Sequence, residues 1–243
     1  MEHLLGSSCY NLSSCTNEIK NEILDSYFIN NYNICRISIG SSDFNLNSYS
    51  YSNQNDLSDF SILEDTKYVI PIIKEAKNRN KSLQILASCW SPPSFMKSNQ
   101  KLTDGGTLLP DFKQIYAKYL VKFIKEYEKE NITIDYITIQ NEPNAKQIWE
   151  SCIYSSSQEL DLINNYVYPE FNKNNIKTKI LLWDHNKEKL ITRYSKENIS
   201  DHISGFAFHW YTGDHFENIE LLKAKYPNKL LFHTEGCCRF FLF

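Results

Sequence analysis

The stretch ITIQNEPN, residues 137–144, runs apolar and β-branched as far as Ile139, then places Asn141 and Glu142 directly ahead of Pro143. It reads as the end of a buried strand, because a proline cannot continue a ladder and the acid stands at the tip. A second stretch, LLFHTEGCC at 230–238, repeats the plan with Glu235. An ionised carboxylate in such a place is costly unless something there uses it.

Working outward from these two, six runs read as strands: NICRISIG (33–40), SLQILASCW (82–90), IDYITIQ (134–140), TKILLWD (178–184), GFAFHWY (205–211) and KLLFHTE (229–235). Most are apolar on both alternating faces, as parallel strands covered on two sides are. Helical patterns lie between them. The clearest, 112–128, lines up Phe112, Tyr116, Tyr119, Leu120, Phe123, Ile124 and Tyr127 on one stripe. The segments 17–29, 66–79, 158–173 and 214–226 are less regular.

Strand alternating with helix predicts a parallel α/β sheet, either a doubly wound open sheet or a (β/α)8 barrel. No Gly-rich phosphate loop follows any strand, whereas polar and aromatic residues gather at the C-terminal strand ends, where barrel enzymes build their sites. The expected fold is an incomplete TIM (β/α)8 barrel: about six of the eight βα units, with the first and last strands missing. The open seam is expected between the strands at 33–40 and 229–235. The first dozen residues make a poor strand, and no linker or repeat marks a second domain, so 1–243 reads as one partial barrel domain.

Composition excludes several classes. Lys+Arg 26 against Asp+Glu 29 gives a net charge of −3 and no basic footprint for nucleic acid. No apolar run approaches the roughly 20 residues of a transmembrane helix. The N-terminus lacks the cationic and apolar segments of a signal peptide, which sets the expectation of a cytoplasmic protein. Seven cysteines, an odd number never spaced CxxC, read as reduced thiols. Among them Cys89, Cys152 and the Cys237-Cys238 pair read as packed structural residues. The six histidines form no HExxH or HxH, so neither a metal nor another cofactor is expected. His185 and His215 read as loop residues.

The strand tips in order offer Asp43, Trp90, Asn141-Glu142, Asp184-His185, His209-Trp210-Tyr211 and Glu235. Each glutamate alone would read as a solvated loop residue. Two in one ring of loops, beside aromatic residues, are what a glycosidase needs: one protonates the leaving oxygen while the other attacks or activates water from the opposite face. Aromatic content of 14% belongs mostly to core packing, and the remainder suits stacking on sugar faces.

RISIGSSDF, ASCWSPPSFMK, TIQNEP, GFAFHWY and LLFHTEGC also resemble, in order and spacing from about residue 6 to 238, the glucosylceramidase-like glycoside hydrolases of family 30. That resemblance implies a retaining β-glycosidase acting on terminal β-linked glucose-like sugars through a covalent glycosyl-enzyme, on a carbohydrate or glycolipid substrate. Glu142 matches the general acid/base and Glu235 the nucleophile. Asn141 matches the residue that bonds the sugar 2-hydroxyl and the nucleophile. Asp43 and Trp90 match residues that hold the outer hydroxyls, His209, Trp210 and Tyr211 match an aromatic wall, and Arg36 matches an arginine behind the nucleophile. In that role Glu142 is expected to have a raised pKa and Glu235 to stay ionised. Relatives of this kind carry a strand ahead of residue 6, an eighth strand and a flanking β-sandwich. The chain is therefore expected to be a truncated catalytic domain, and the alternative function is an inactive remnant or a sugar-binding half that needs a partner chain.

Overall fold

In the computed structural model, which describes residues 1–236, seven parallel strands pair in strict sequence order into one curled sheet, a half-barrel. They are β1 (Glu2–His3), β2 (Ile34–Ile39), β3 (Gln84–Cys89), β4 (Tyr136–Thr138), β5 (Lys179–Asn186), β6 (Ile203–His209) and β7 (Leu230–Glu235). The helices between them are α1 (Gly6–Ser14), α2 (Asn17–Phe28), α3 (Leu63–Lys67), α4 (Val69–Arg79), α5 (Lys113–Lys129), α6 (Ser156–Leu162), α7 (Tyr168–Lys173), α8 (Leu190–Arg193) and α9 (Phe216–Lys225).

The six anticipated strands are present, and a seventh precedes them. Glu2 and His3 pair with Cys35 and Arg36, so the sheet edges are β1 and β7 rather than β2 and β7. Two residues carry no readable periodicity, which is why this strand is invisible in the sequence. The seam between the edges is bridged by His3, whose Nε2–H donates to the Thr234 carbonyl at 2.9 Å. A cavity of about 290 Å³ lies there, lined by Met1, Glu2, His3, Tyr32, His233, Thr234, Glu235 and Gly236. Cys237 and Cys238 fall outside the described residues.

Alternation along each strand sorts two layers. Cys35, Ile37, Ile39, Ile85, Ala87, Cys89, Ile137, Ile180, Leu182 and Phe206 belong to the large core formed with the helices. On the concave side Leu86, Tyr136, Leu181 and Ala207 plug the lower interior, with Met1, Ile34 and Phe232 packed against them. Two residues further along the same faces stand Ser88, Thr138 and Thr234, so the interior turns polar toward the C-terminal strand ends.

The helices depart from expectation where backbone chemistry intervenes. The segment 66–79 belongs to two helices that meet at Tyr68 (φ −138°). The segment 158–173 holds a π turn, Ile163–Val167, just ahead of Pro169, whose missing N–H removes an α-helical bond. α1 buries Cys9 and Leu12, but its Gly- and Ser-rich sequence hides it.

Under α4 and α5 the fully shielded Asp65 accepts hydroxyl hydrogen bonds from Tyr49 (2.6 Å), Tyr51 (2.5 Å) and Tyr127 (2.7 Å). Burial pushes its carboxyl up to about 6, against the three phenols, which pull it down. Asp65→Ala strands three buried hydroxyls, each worth about 1–3 kcal/mol. The expected loss is roughly 3 kcal/mol or more, read as a lowered urea midpoint with unchanged slope. A loss under about 0.5 kcal/mol, the range of an ordinary surface substitution, contradicts the assignment.

Candidate active site

The polar layer is organised by Arg36, which β2 places at the concave face with no exposed surface. Its Nη1 donates to Glu235 Oε2 at 2.5 Å, and its Nη2 to Asp184 Oδ2 and Asn141 Oδ1, both at 2.8 Å. Its Nε donates to Ser88 Oγ at 3.1 Å, and the guanidinium stacks 4.6 Å above the Trp90 ring. One side chain thus ties β2 to β3, β5, β7 and the turn after β4.

Asp184 is the second hub. Oδ1 accepts from Thr234 (2.6 Å) and faces His209 Nε2 (3.2 Å), while Oδ2 accepts from Thr138 (2.6 Å) as well as Arg36. Arg36 and His209 hold its carboxyl well below the ordinary range although it is fully buried. β5 reaches this position through a register break between Trp183 and His185, with φ +79° at Trp183 and +54° at Asp184. Glu159 Oε1, accepting from Trp183 N–H at 3.0 Å, secures the break. Glu142 has φ +48° as well, and its N–H donates to the Asp184 carbonyl at 3.0 Å. Left-handed backbone at non-glycine residues costs on the order of 1–3 kcal/mol, and here it coincides with the acids.

Glu142 and Glu235, separated by 93 positions (235 − 142), meet. An oxygen from each carboxylate and a ring nitrogen of His209 all lie within 4.8 Å of one another. That donor set has metal-like spacing, but its atoms are already engaged: Glu235 binds Arg36 and accepts from the Tyr211 hydroxyl at 3.0 Å, and His209 Nδ1 faces Glu142 Oε1 at 3.3 Å. His209 and Arg36 overcome burial to hold Glu235 below the ordinary carboxylate range. The expected raised pKa of Glu142 is corrected: burial would raise it, but the His209 hydrogen bond, with the charges of His209 and His185, draws it below its usual value.

Other placements also differ from the sequence reading. His209, read as part of an aromatic wall, is wholly buried between two carboxylates. Trp210 is 45% exposed and its ring stands 6.0 Å from the His233 ring. Tyr211 does reach the cluster, through Glu235. Asn141 bonds Arg36. Trp90 hydrogen-bonds Asp43 on the loop after β2. Asp43 as a whole is exposed, yet partial desolvation of its carboxyl and the facing charge of Glu235 raise it to about 6. His185 is no loop histidine: it is buried within β5, 3.8 Å from Glu142, and burial lowers it to about 4. Asp184 is the functional residue the sequence reading left unassigned. Its signal was an acid inside an otherwise apolar strand.

The sequence matches the glycosyl hydrolase family 30 TIM-barrel domain over residues 3–240. It is 32% identical to a protein named putative glucosylceramidase 3 from Caenorhabditis elegans, covering 94% of this chain and 48% of that one. It is 33% identical to an endo-1,6-β-D-glucanase from Neurospora crassa, covering 65% of this chain and 35% of that one. The crystal structure of SrfJ from Salmonella typhimurium superposes with a TM-score of 0.95 at 31% identity, covering 99% of this chain and 57% of that one. The chain thus spans about half the length of the first of these curated relatives. It belongs to glycosyl hydrolase family 30.

Arg36→Met is expected to destabilise the fold by about 3–5 kcal/mol at pH 7, because Asp184 and Glu235 stay buried without the guanidinium that balances their charge. Both carboxyls are depressed in the native protein, so the stability they add is present above their ordinary values and lost as pH falls through the depressed ones. The gap between the two proteins should therefore narrow below about pH 4. Denaturant melts at pH 7 and pH 3 measure it. A gap that widens with acid contradicts the charge account.

Proposed function

We propose that this family 30 chain carries the catalytic machinery of a retaining β-glycosidase for β-linked glucose-like sugars. The supporting observation is that an oxygen of Glu142 lies within 4.8 Å of an oxygen of Glu235. Retaining enzymes hold their two carboxyl groups about 5–5.5 Å apart, and inverting ones about 6.5–9.5 Å. Glu235, ionised and steadied by Arg36 and Tyr211, suits the nucleophile. Its oxygen attacks the anomeric carbon as the glycosidic C–O bond breaks, and Glu142 gives its proton to the departing oxygen. Glu142 then takes a proton from water, which attacks the same carbon and frees Glu235.

The remaining residues fit a sugar-sized site. Asp43, at the mouth and bonded by Trp90, suits the outer hydroxyls. Asn141, held by Arg36 beside the acid, suits the 2-hydroxyl. Relatives named for glucosylceramide and for 1,6-β-glucan support a β-glucoside with either a lipid or a sugar leaving group. Among the described residues β7 is an edge strand, and the second reading is a half-barrel that binds sugar without turning it over.

Kinetics on aryl β-glucosides separate the two readings. Glu235→Gln should abolish turnover. Glu142→Gln should slow poor leaving groups by about 10²–10⁴-fold and spare good ones in the first step. Azide should restore turnover of Glu142→Gln as the β-azide, and of a Glu235 variant as the α-azide. Reversed anomers exchange the two roles. Sugar binding with no turnover under any condition favours the second reading.

A further inference from the structure

The mechanism so far leaves His209 unexplained. It has no exposed surface, and each ring nitrogen faces a carboxylate: Nδ1 is 3.3 Å from Glu142 Oε1, and Nε2 is 3.2 Å from Asp184 Oδ1. Ionised carboxylates only accept, and a neutral imidazole has one N–H to give. Making both contacts hydrogen bonds therefore requires two protons shared among the three groups. Either His209 is an imidazolium between two anions, or it is neutral and one carboxyl carries the second proton. Asp184 is a poor place for that proton, since Arg36, Thr138 and Thr234 already donate to its two oxygens. The mobile proton thus has two seats, His209 Nδ1 and Glu142 Oε1.

We propose that Glu142 and His209 hold one proton jointly, stored on the imidazole at rest and passed to Glu142 as the nucleophile Glu235 spends its charge, with Asp184 as the positioning anchor. This rests on the reading of Glu142 as acid. In the first step the Nδ1–H bond breaks and a Glu142 O–H bond forms. That O–H then breaks as the departing glycosidic oxygen takes the proton together with the electron pair of its C–O bond. His209 is left neutral, its Nε2–H still on Asp184. In the second step water supplies a proton to Glu142, and as Glu235 regains its charge the proton returns to Nδ1. The substrate water replaces the proton that left with the glycosidic oxygen, and no other proton source is needed.

The coupling has an electrostatic cause. His209 is lifted from 6.5 to about 9 despite burial, most of all by the charge of Glu235 and then by its bonds to Asp184 and Glu142. When Glu235 becomes an ester that anion is gone, the imidazolium is less favoured, and the proton moves outward toward the leaving group. The other charged or titratable neighbours of the pair are Arg36 on β2, His185 on β5, Asp43 on the loop after β2, His3 on β1, Tyr211 after β6 and His233 on β7.

Histidine ¹⁵N NMR of the full chain tests this without requiring turnover. The His209 signals are identified by their loss in His209→Gln. The expected result is an imidazolium at pH 7 that titrates near 9, with its midpoint falling by about 1–3 units in Glu235→Gln. Glu142→Gln should lower it by less, since the amide oxygen still accepts. Unchanged signals of His202, which stacks on Tyr168 at 3.9 Å, report that each variant is folded. A His209 that is neutral at pH 7 in the native chain, or a midpoint indifferent to Glu235→Gln in a folded variant, overturns the proposal. If His209 behaves as stated but Glu142→Gln slows good and poor leaving groups alike, the acid reading fails and the shared proton stands.

Discussion

A guanidinium with no exposed surface sits inside this half-barrel, and the site is arranged around keeping it there. Removing Arg36 from water costs several kcal/mol, which only close anions and well-aimed acceptors offset. Asp184 and Glu235 supply the anions, Asn141 and Ser88 the neutral acceptors, and Trp90 the ring beneath it. Ser88 and Trp90 come from β3 and its end, Asn141 from the turn after β4, Asp184 from β5 and Glu235 from β7. The same constraint that balances one buried charge therefore brings two distant glutamates together. Strand pairing fixes the heights: Arg36 starts opposite Leu86, at the level of the apolar plug, and Ser38 lies opposite Ser88 one layer above it.

Much of this was legible in residues. Runs such as TKILLWD and GFAFHWY gave up their strands because apolar content on both faces is what parallel pairing demands. Glu142 and Glu235 stood out because an acid beyond an apolar strand has few bland explanations in pairs. Three things lay below the reach of pattern. Glu2–His3 is too short for any period. The register break at Trp183 depends on left-handed backbone that no residue type there announces, and it alone turns Asp184 inward. His209 and Trp210 are neighbours in sequence, yet one is sealed between carboxylates and the other opens to solvent. Alternation says that they face opposite ways, but not which of them faces the acidic cluster.

The resulting site is a charge-coupled unit rather than a pair of independent acids. Two cationic groups, Arg36 and the raised His209, stand among Asp184, Glu142 and Glu235. Any change on one carboxylate is felt by the others through short, poorly screened paths. Backbone strain at Glu142, Trp183 and Asp184 belongs to the same economy of placement, since each residue is held by hydrogen bonds that leave little room to relax. At the seam, where β1 and β7 are the edge strands among the described residues, His3 reaches the carbonyl of Thr234, so the strand that carries Glu235 is tied there as well as by Arg36.

The central claim is that this cluster makes Glu235 the nucleophile and that the half-barrel holds it ready. The most direct measurement is mechanism-based labelling of the full chain with a 2-deoxy-2-fluoro-β-glucosyl fluoride, followed by peptide mass spectrometry. The account predicts one fluoroglucosyl unit per chain, on Glu235, abolished in Glu235→Gln. A label on Glu142 or Asp184, or none in a chain whose histidine spectrum shows the cluster assembled, contradicts it.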